Sequence, residues 1–367
     1  MRILFDHSVF SLQPRGGISR YFCELAARLQ DRPDCSPHIL APLHMSRLLR
    51  ESRQLPVTGL YMSRKSGTHQ LRQFINNVCS AFMLRRYAPD LIHGTYYLAK
   101  IHRPKTVPFV ITVFDMIHER FPEQMVAGEE KIPGEKKRCM QQADRVICIS
   151  EHTRNDVVEL VGIPEEKTTV IHLGSSFSPS TTLTDENPPC ASPFLLYVGN
   201  RGGVKNFTRL LRAYAQSTSL SGAFSLLCFG GGTFTAEELQ SARDLGLGPG
   251  QLLHVAGDDR MLAKSYTHAT ALIYPSLYEG FGLPILEAMA CDCPVLCSNT
   301  SSMPEVAGGA ALFFNPLSVD EIAACMETIV SSTATRQRLV SAGRQRAAHF
   351  SWDRCVEETI QVYKQCL

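Results

Sequence analysis

Nothing in this 367-residue chain approaches the ~20 consecutive apolar residues that span a bilayer, so a transmembrane helix is excluded. The opening MRILFDHSVF lacks the long apolar core of a secretion signal and reads as a strand. A soluble cytoplasmic protein is expected, at most held to the inner face of a membrane. Strong charge is missing too: 37 Lys and Arg against 35 Asp and Glu leave +2, too little for a general nucleic-acid binder that must neutralise phosphates. The 13 cysteines include no Cys-x-x-Cys pair, and several sit in apolar runs such as Val146-Ile147-Cys148-Ile149. That is the usage of a reduced cytoplasmic protein rather than a disulfide framework. Cys291, Cys293 and Cys297 cluster with no His beside them, which favours packing over zinc. With 44% hydrophobic and 20% charged residues, little room is left for extensive disorder.

The length suits two domains of roughly 100 to 200 residues each. Their charges differ, since residues 1–180 carry +6 and residues 181–367 carry −4. Short β-branched or apolar runs alternate with longer amphipathic segments, the pattern of βα units and parallel sheets. Buried strands are expected at 3–5, 91–93, 109–114, 145–149 and 169–172. The pattern then begins again, with strands at 194–198, 224–229, 252–256, 271–274 and 294–296. Between the halves, residues 175–193 are rich in Ser, Thr and Pro with no apolar period, as in a linker. Residues 351–367 show apolar positions at helical spacing. The boundaries that follow are an N-terminal domain over 1–175, a linker over 176–193, a C-terminal domain over 194–350 and a terminal helix over 351–367.

Two segments of the second half carry chemistry. YPSLYEGFGLPILE (274–287) reads as a strand end, a Gly-rich turn and a helix with Pro284 in its first turn. Gly280 and Gly282 let backbone approach a ligand, and the N–H groups of the helix they introduce attract an anion. Glu279 before the turn and Glu287 inside the helix can address hydroxyls on either side, which matches a nucleotide joined to a sugar. The plainer alternative is a solvated Glu and a capping Glu. Upstream, VGNRGGVKN (198–206) puts Arg201 and Lys205 in a glycine loop at another strand end, as a diphosphate clamp would, or as a solvated basic loop.

These stretches, extended to YPSLYEGFGLPILEAMACDCPVLCSNTSSMPEVAGGAALFFNP and YVGNRGGVKNFTRLLRAYA, resemble the nucleotide-sugar half of retaining GT-B glycosyltransferases of family four. The resemblance is greatest to bacterial mannosyl- and rhamnosyltransferases of surface polysaccharide assembly and covers most of residues 194–355. It implies an α/β fold of two Rossmann-like domains facing a cleft, with the C-terminal helix crossing back to the first. It implies transfer of a mannose- or rhamnose-like hexose from a nucleoside diphosphate sugar, GDP-linked by preference, to a glycan or lipid-linked acceptor. By the same resemblance Arg201 and Lys205 contact the diphosphate, Glu279 lies by the sugar and Glu287 holds the ribose hydroxyls. Gly280, Phe281, Gly282 and Leu283 form the donor-binding turn between them. Asp292 departs from the family, where Gly is usual. No Asp-x-Asp occurs, so the enzyme is expected to need no metal and no cofactor beyond its donor substrate.

In the first half, Gly16 and Gly17 resemble the family's N-terminal glycine loop near the donor phosphates, or else form a tight strand-to-helix turn. They lack the G-x-G-x-x-G spacing of a dehydrogenase. Asp115 and His118 end another strand. Asp115 is the first choice, and His118 the second, for orienting or deprotonating an acceptor hydroxyl. The alternative has Asp115 capping a turn and His118 facing solvent. His93 to Tyr97 and Ser150 to Thr153 are further strand-end loops placed to line an acceptor cleft, the latter read chiefly as a helix cap. A basic set comprising Arg47, Arg50, Arg53, Arg64, Lys65, Arg72, Arg85, Arg86 and Lys136 to Arg138, with Leu48, Leu49, Phe74 and Phe82, suggests peripheral contact with an anionic membrane. A nucleotide-sugar epimerase of the same architecture and a non-catalytic sugar-binding protein are the alternatives to a transferase.

Overall fold

The computed structural model describes residues 1–52, 54–63, 69–97, 103–125, 128–177 and 187–367. Half of the linker expected over 176–193, residues 178–186, and the basic residues Arg53, Arg64 and Lys65 lie outside them. The chain divides into two compact units, Met1–Gly174 with Trp352–Leu367, and Ser175–Ser351.

The first unit holds seven described strands: β1 (Arg2–Phe5), β2 (Ser36–His44), β3 (Val57–Tyr61), β4 (Leu91–Gly94), β5 (Phe109–Val113), β6 (Arg145–Cys148) and β7 (Thr168–Val170). They pair in parallel in the order β3-β2-β1-β4-β5-β6-β7. The second unit holds β8 (Phe194–Val198), β9 (Ser225–Phe229), β10 (Leu252–Val255), β11 (Ala271–Tyr274), β12 (Val295–Ser298) and β13 (Ala311–Phe314). These are again parallel, in the order β10-β9-β8-β11-β12-β13. Helices cover such sheets on both faces, which is why β5, β9 and β11 are apolar and buried throughout. The chain therefore consists of two parallel-sheet α/β units, as the resemblance implies.

Three strands escape the sequence pattern. Pro37 and Pro42 interrupt β2, whose register to β3 slips between Leu40 and Leu43. Its edge partner β3 is half exposed and contains Gly59, where a Cβ would lie 1.7 Å from the Ala41 carbonyl oxygen. The strand β13, at one edge of the second sheet, does not alternate.

The terminal helix Trp352–Cys366 belongs to the first unit. Trp352 packs near Tyr21, and the Tyr363 hydroxyl hydrogen-bonds His93 Nδ1 at 2.6 Å. His93 Nε2 meets Thr112 Oγ1 at 2.8 Å. Burial lowers the His93 pKa from its ordinary 6.5 to about 3, so the ring is neutral. The reading of His93 as part of an acceptor loop is thereby corrected: it is a core residue joining two strands to the last helix. All 13 cysteines are free. Burial pushes the Cys293 and Cys297 thiols up, which keeps them protonated as packing groups.

Candidate functional site

In the second sheet the strand order reverses between β8 and β11, and the loops leaving those neighbouring strands open a crevice of the kind in which open α/β sheets bind ligands. Those loops are Gly199–Asn206 and Pro275–Gly282. They are laced together: Leu277 N donates to the Val204 carbonyl at 2.7 Å. Buried Asn206, in the left-handed region at φ 58, donates through Nδ2 to the carbonyls of Pro275 (3.0 Å) and Pro316 (2.7 Å). The lacing lets Lys205 reach across, and its Nζ lies 2.7 and 2.9 Å from the two carboxylate oxygens of Glu279.

Glu279 is positioned from below as well. Its N–H donates to Ser301 Oγ (3.0 Å), while Ser302 Oγ bonds the carbonyls of Glu279 (2.8 Å) and Phe281 (3.0 Å). The Tyr274 hydroxyl, hydrogen-bonded to Glu279, is pushed well above the phenol range by burial and by the carboxylate charge. Gly280 is buried in the turn, and Phe281 sets its ring edge-on to Phe350 at 5.9 Å. Gly282, at φ 98, starts the helix Leu283–Ala290, with Pro284 in the first turn. Glu287 lies one turn along and accepts from the Tyr266 hydroxyl at 2.9 Å. Burial first, and Glu287 second, hold that phenol protonated. Both carboxylates are thus oriented by buried tyrosines.

Arg201 does not join Lys205 at Glu279. Its side chain is 3% exposed, with Nε 2.8 Å and Nη2 3.2 Å from the oxygens of Glu238. The remaining donors serve the carbonyls of Gly230 (3.1 Å), Gly232 (3.0 Å) and Thr233 (3.0 Å). Gly230, Gly231 and Gly232 all have positive φ, and a planar fork is what such a run of inward carbonyls requires. Arg201 therefore builds the loop after β9. Its partner Glu238 also closes a capping box with Thr235, a T-x-x-E pattern visible in the sequence. The family departure at Asp292 has a local explanation: Asp292 sits at φ 58, which favours glycine, and Arg344 grips its two oxygens at 2.5 and 2.6 Å.

In the first unit Gly16 is the N-cap of the helix Gly17–Gln30, and its carbonyl accepts from Ser19 Oγ and Arg20 N. Among the described residues no atom lies within 4 Å of where a Gly17 Cβ would be, so local packing does not demand glycine there. Asp115 Oδ1 accepts from Ile117 N at 3.2 Å, the turn cap weighed as an alternative. Behind it lies an unexpected group. Lys136, fully buried, donates from Nζ to the Asp115 carbonyl (3.0 Å) and to Glu119 Oε2 (2.9 Å), and lies 3.7 Å from Asp115 Oδ1. His118 Nε2 is 3.7 Å from Glu129, and its buried Nδ1 has no partner among the described residues. Ser150 Oγ accepts from Thr153 N at 3.0 Å, capping its helix.

The basic set needs correction. Lys136 is a buried ion-pair partner, and Arg72 is buried, so neither belongs to a surface; Leu49 is buried as well. Arg47, Arg50, Arg85, Arg86, Lys137 and Arg138 are exposed. Among the described residues, no group of three or more His, Cys, Asp or Glu could hold a metal ion. No described helix is long and apolar enough to cross a membrane.

The chain has counterparts among known proteins. The profile described as Glycosyl transferases group 1 matches residues 183–346, and Glycosyltransferase Family 4 matches residues 15–175. The chain is 30% identical over 297 residues to O-antigen chain mannosyltransferase B of Escherichia coli, covering 77% of this chain and 76% of that protein. Among solved structures it is similar to sucrose-phosphate synthase from Thermosynechococcus elongatus, with TM-score 0.77, 20% identity and coverage of 100% and 98% of the two chains. It is also similar to Anabaena HepE in complex with UDP and glucose, with TM-score 0.74, 18% identity and 99% of each chain covered. These relationships define a hexose-transferring enzyme of the GT-B fold. The chain belongs to the glycosyltransferase family whose N-terminal half is described by family 4 and whose C-terminal half by group 1.

Proposed function

We propose that the enzyme transfers a mannose-like hexose, with retention of configuration, from a GDP-linked donor to a glycan or lipid-linked acceptor in polysaccharide assembly. The observation that carries this reading is Lys205 bound to Glu279 at the β8/β11 junction, beside the N-terminus of Leu283–Ala290. A diphosphate entering there meets the Lys205 cation and a row of helix N–H groups, while Glu279 accepts hydroxyls of the sugar. Glu287, steadied by Tyr266, addresses the ribose. The similarity to an O-antigen mannosyltransferase favours mannose. In a front-face route the acceptor oxygen bonds the anomeric carbon as the bond to diphosphate breaks, and a phosphate oxygen takes the hydroxyl proton. Asp115 orients that hydroxyl.

A thermal-shift screen of GDP, UDP, ADP and their sugars tests the donor assignment, because a ligand held at 100 times its Kd stabilises the folded state by about 2.7 kcal/mol. A larger shift from UDP or ADP would overturn the GDP assignment. With lysine and helix dipole neutralising the leaving group, turnover in excess EDTA should equal turnover with added magnesium or manganese. Activity lost on chelation and restored by metal would refute metal independence.

We also propose peripheral attachment at the cytoplasmic face of a membrane, through the helix His69–Tyr87. Leu71, Phe74, Val78 and Phe82 recur on one face of it, and each is more than half exposed. That helix contains no acidic residue and ends in exposed Arg85 and Arg86. Cosedimentation with anionic liposomes at low salt, lost at high salt and in Phe74→Ser/Phe82→Ser, is the expected result. Equal partition onto neutral and anionic vesicles would sink the idea.

A further inference from the structure

The segment that follows β5 is pinned at both ends by charged side chains from later helices. At its far end, Arg120 Nε and Nη2 lie 3.0 and 2.6 Å from Oδ1 of buried Asp156, in the helix Glu151–Asp156. At its near end stands Lys136, from the helix Ile132–Gln142. It is the only fully buried lysine among the described residues, and its Nζ donates to the Asp115 carbonyl at 3.0 Å and to Glu119 Oε2 at 2.9 Å. The buried Tyr97 ring lies 5.3 Å from the same nitrogen.

Stability alone does not call for a cation there. Position 136 shares its helix face with Cys139 and Met140, where an apolar side chain would be buried without penalty. An ammonium must instead be stripped of water, and replacing a buried ion pair by apolar residues of similar volume is often neutral or stabilising. The pair is also incompletely satisfied, since Glu119 Oε1 is buried and has no partner among the described residues. What Lys136 does supply is a fixed positive charge behind Asp115, 3.7 Å from Oδ1. The Ile117 N–H falls on that same oxygen at 3.2 Å. Both contacts thus go to Oδ1, while Oδ2 accepts no hydrogen bond among the described residues, on a side chain that is 30% exposed. One oxygen is held and the other is left for a ligand.

We propose that Lys136 is a positioning residue for glycosyl transfer. It fixes the Asp115 backbone by a hydrogen bond and Oδ1 by charge, so that Oδ2 is presented to the acceptor hydroxyl. Glu119 offsets the buried cation and touches no substrate. The inference rests on the reading of Asp115 as the acceptor-orienting group.

The test combines calorimetry with turnover, read as nucleoside diphosphate released from the donor sugar that shifts melting most, to water and to methyl α-mannoside. Lys136→Met leaves Glu119 buried and unpaired, so it should melt lower than the wild type. Lys136→Met/Glu119→Leu removes both charges and should regain most of that loss. In both proteins kcat should fall about 10- to 100-fold, with donor KM changed less than about twofold, because a misplaced orienting group costs rate rather than donor affinity. A purely structural lysine would instead let kcat return with the melting temperature. In the Asp115→Asn background, Lys136→Met should cost less than about twofold further, since the two act as one unit. Near-normal kcat in Lys136→Met/Glu119→Leu, or independent losses from the two positions, overturns the proposal, and a low kcat in Asp115→Asn alone still leaves the Asp115 reading standing. Near-normal kcat in Asp115→Asn removes that reading and the role of Lys136 with it. A second measurement needs no turnover. In protein with ¹⁵N-labelled lysine, the Lys136 ammonium resonance, assigned by its loss in Lys136→Met, should move in Asp115→Asn, and an unmoved resonance would also overturn the proposal.

Discussion

Replacing Arg201 separates two jobs that its position in a basic glycine loop confuses. A phosphate-gripping Arg201 would cost donor affinity and little stability when removed. The structure predicts the opposite order. Arg201→Ala strips Glu238 of two contacts, at 2.8 and 3.2 Å, takes the Arg201 donor from the carbonyls of Gly232 and Thr233, and leaves the Gly230 carbonyl only its contact with His254 Nε2 at 3.1 Å. Breaking one side of a buried pair costs ~3–5 kcal/mol. Glu238 is 22% exposed and keeps its bond from Thr235 N, so the lower end, about 3 kcal/mol, is appropriate. For a unit of this size that corresponds to a fall of ~6–12 °C in melting temperature. Differential scanning calorimetry, with and without GDP, reads both quantities. Arg201→Lys should rescue little, because an ammonium cannot span Glu238 and three carbonyls as the guanidinium fork does. An Arg201→Ala protein that melts like the wild type but has lost nucleotide binding would refute this account and restore Arg201 as a diphosphate ligand.

The other expectations concern the two units separately. Lys205→Ala should lower donor affinity at least about tenfold, since a charge-assisted hydrogen bond is worth ~1.5–3 kcal/mol, with little change in melting; unchanged donor kinetics would remove Lys205 from the site. Asp115→Asn should reduce kcat by ~10²–10⁴ with donor affinity nearly intact, and His118→Ala should cost less. Near-normal kcat in Asp115→Asn together with its abolition in His118→Ala would reverse those roles. His93 gives a pH signature. Its pKa is about 3 in the folded protein against 6.5 ordinarily, so the unfolded chain binds the extra proton between those values. Stability should therefore decline as pH falls from 6.5 toward 3, with this group contributing about 1.4 kcal/mol per pH unit. His7, His38 and His44 are lowered by burial too and act in the same direction, so the quantity to compare is wild type minus His93→Gln in urea midpoints from pH 6 to 4. Parallel pH profiles for the two proteins would contradict the assignment.

Much of this was legible because parallel strands buried on both faces are continuous apolar runs, as at Phe109–Val113 and Ala271–Tyr274. Residue types and strand ends also singled out Glu279 and Lys205, which the structure brings into contact across two loops. Long-range pairing was not legible. Two cations four residues apart in one loop look alike until Glu238, thirty-seven positions away, claims one of them. Lys136 sits in a Lys-Lys-Arg run that suggests a solvated face. Yet Ile132, Lys136, Cys139 and Met140 are spaced as one side of a helix, and that phase puts Lys136 inward. The tyrosines that orient the two glutamates, Tyr274 and Tyr266, come from a strand and a preceding helix whose residues read simply as core.

The two sheets repeat one arrangement, in which the first strand of each lies against the fourth and the chain reverses direction across the sheet at that junction. Such a junction separates two loops that would otherwise cover each other, so it offers a crevice whatever its sequence. Its residues then decide what enters. At β8/β11 an ion pair, Lys205 with Glu279, spans the gap beside a helix begun by Gly282 at φ 98. An anion can take the lysine from the glutamate there, and the freed carboxylate can turn to sugar hydroxyls. At β1/β4 the gap is closed by Asp6 and Thr95, whose mutual bonding uses the acidic oxygen locally and leaves the His7 imidazole and the Ser8 hydroxyl as the inward groups.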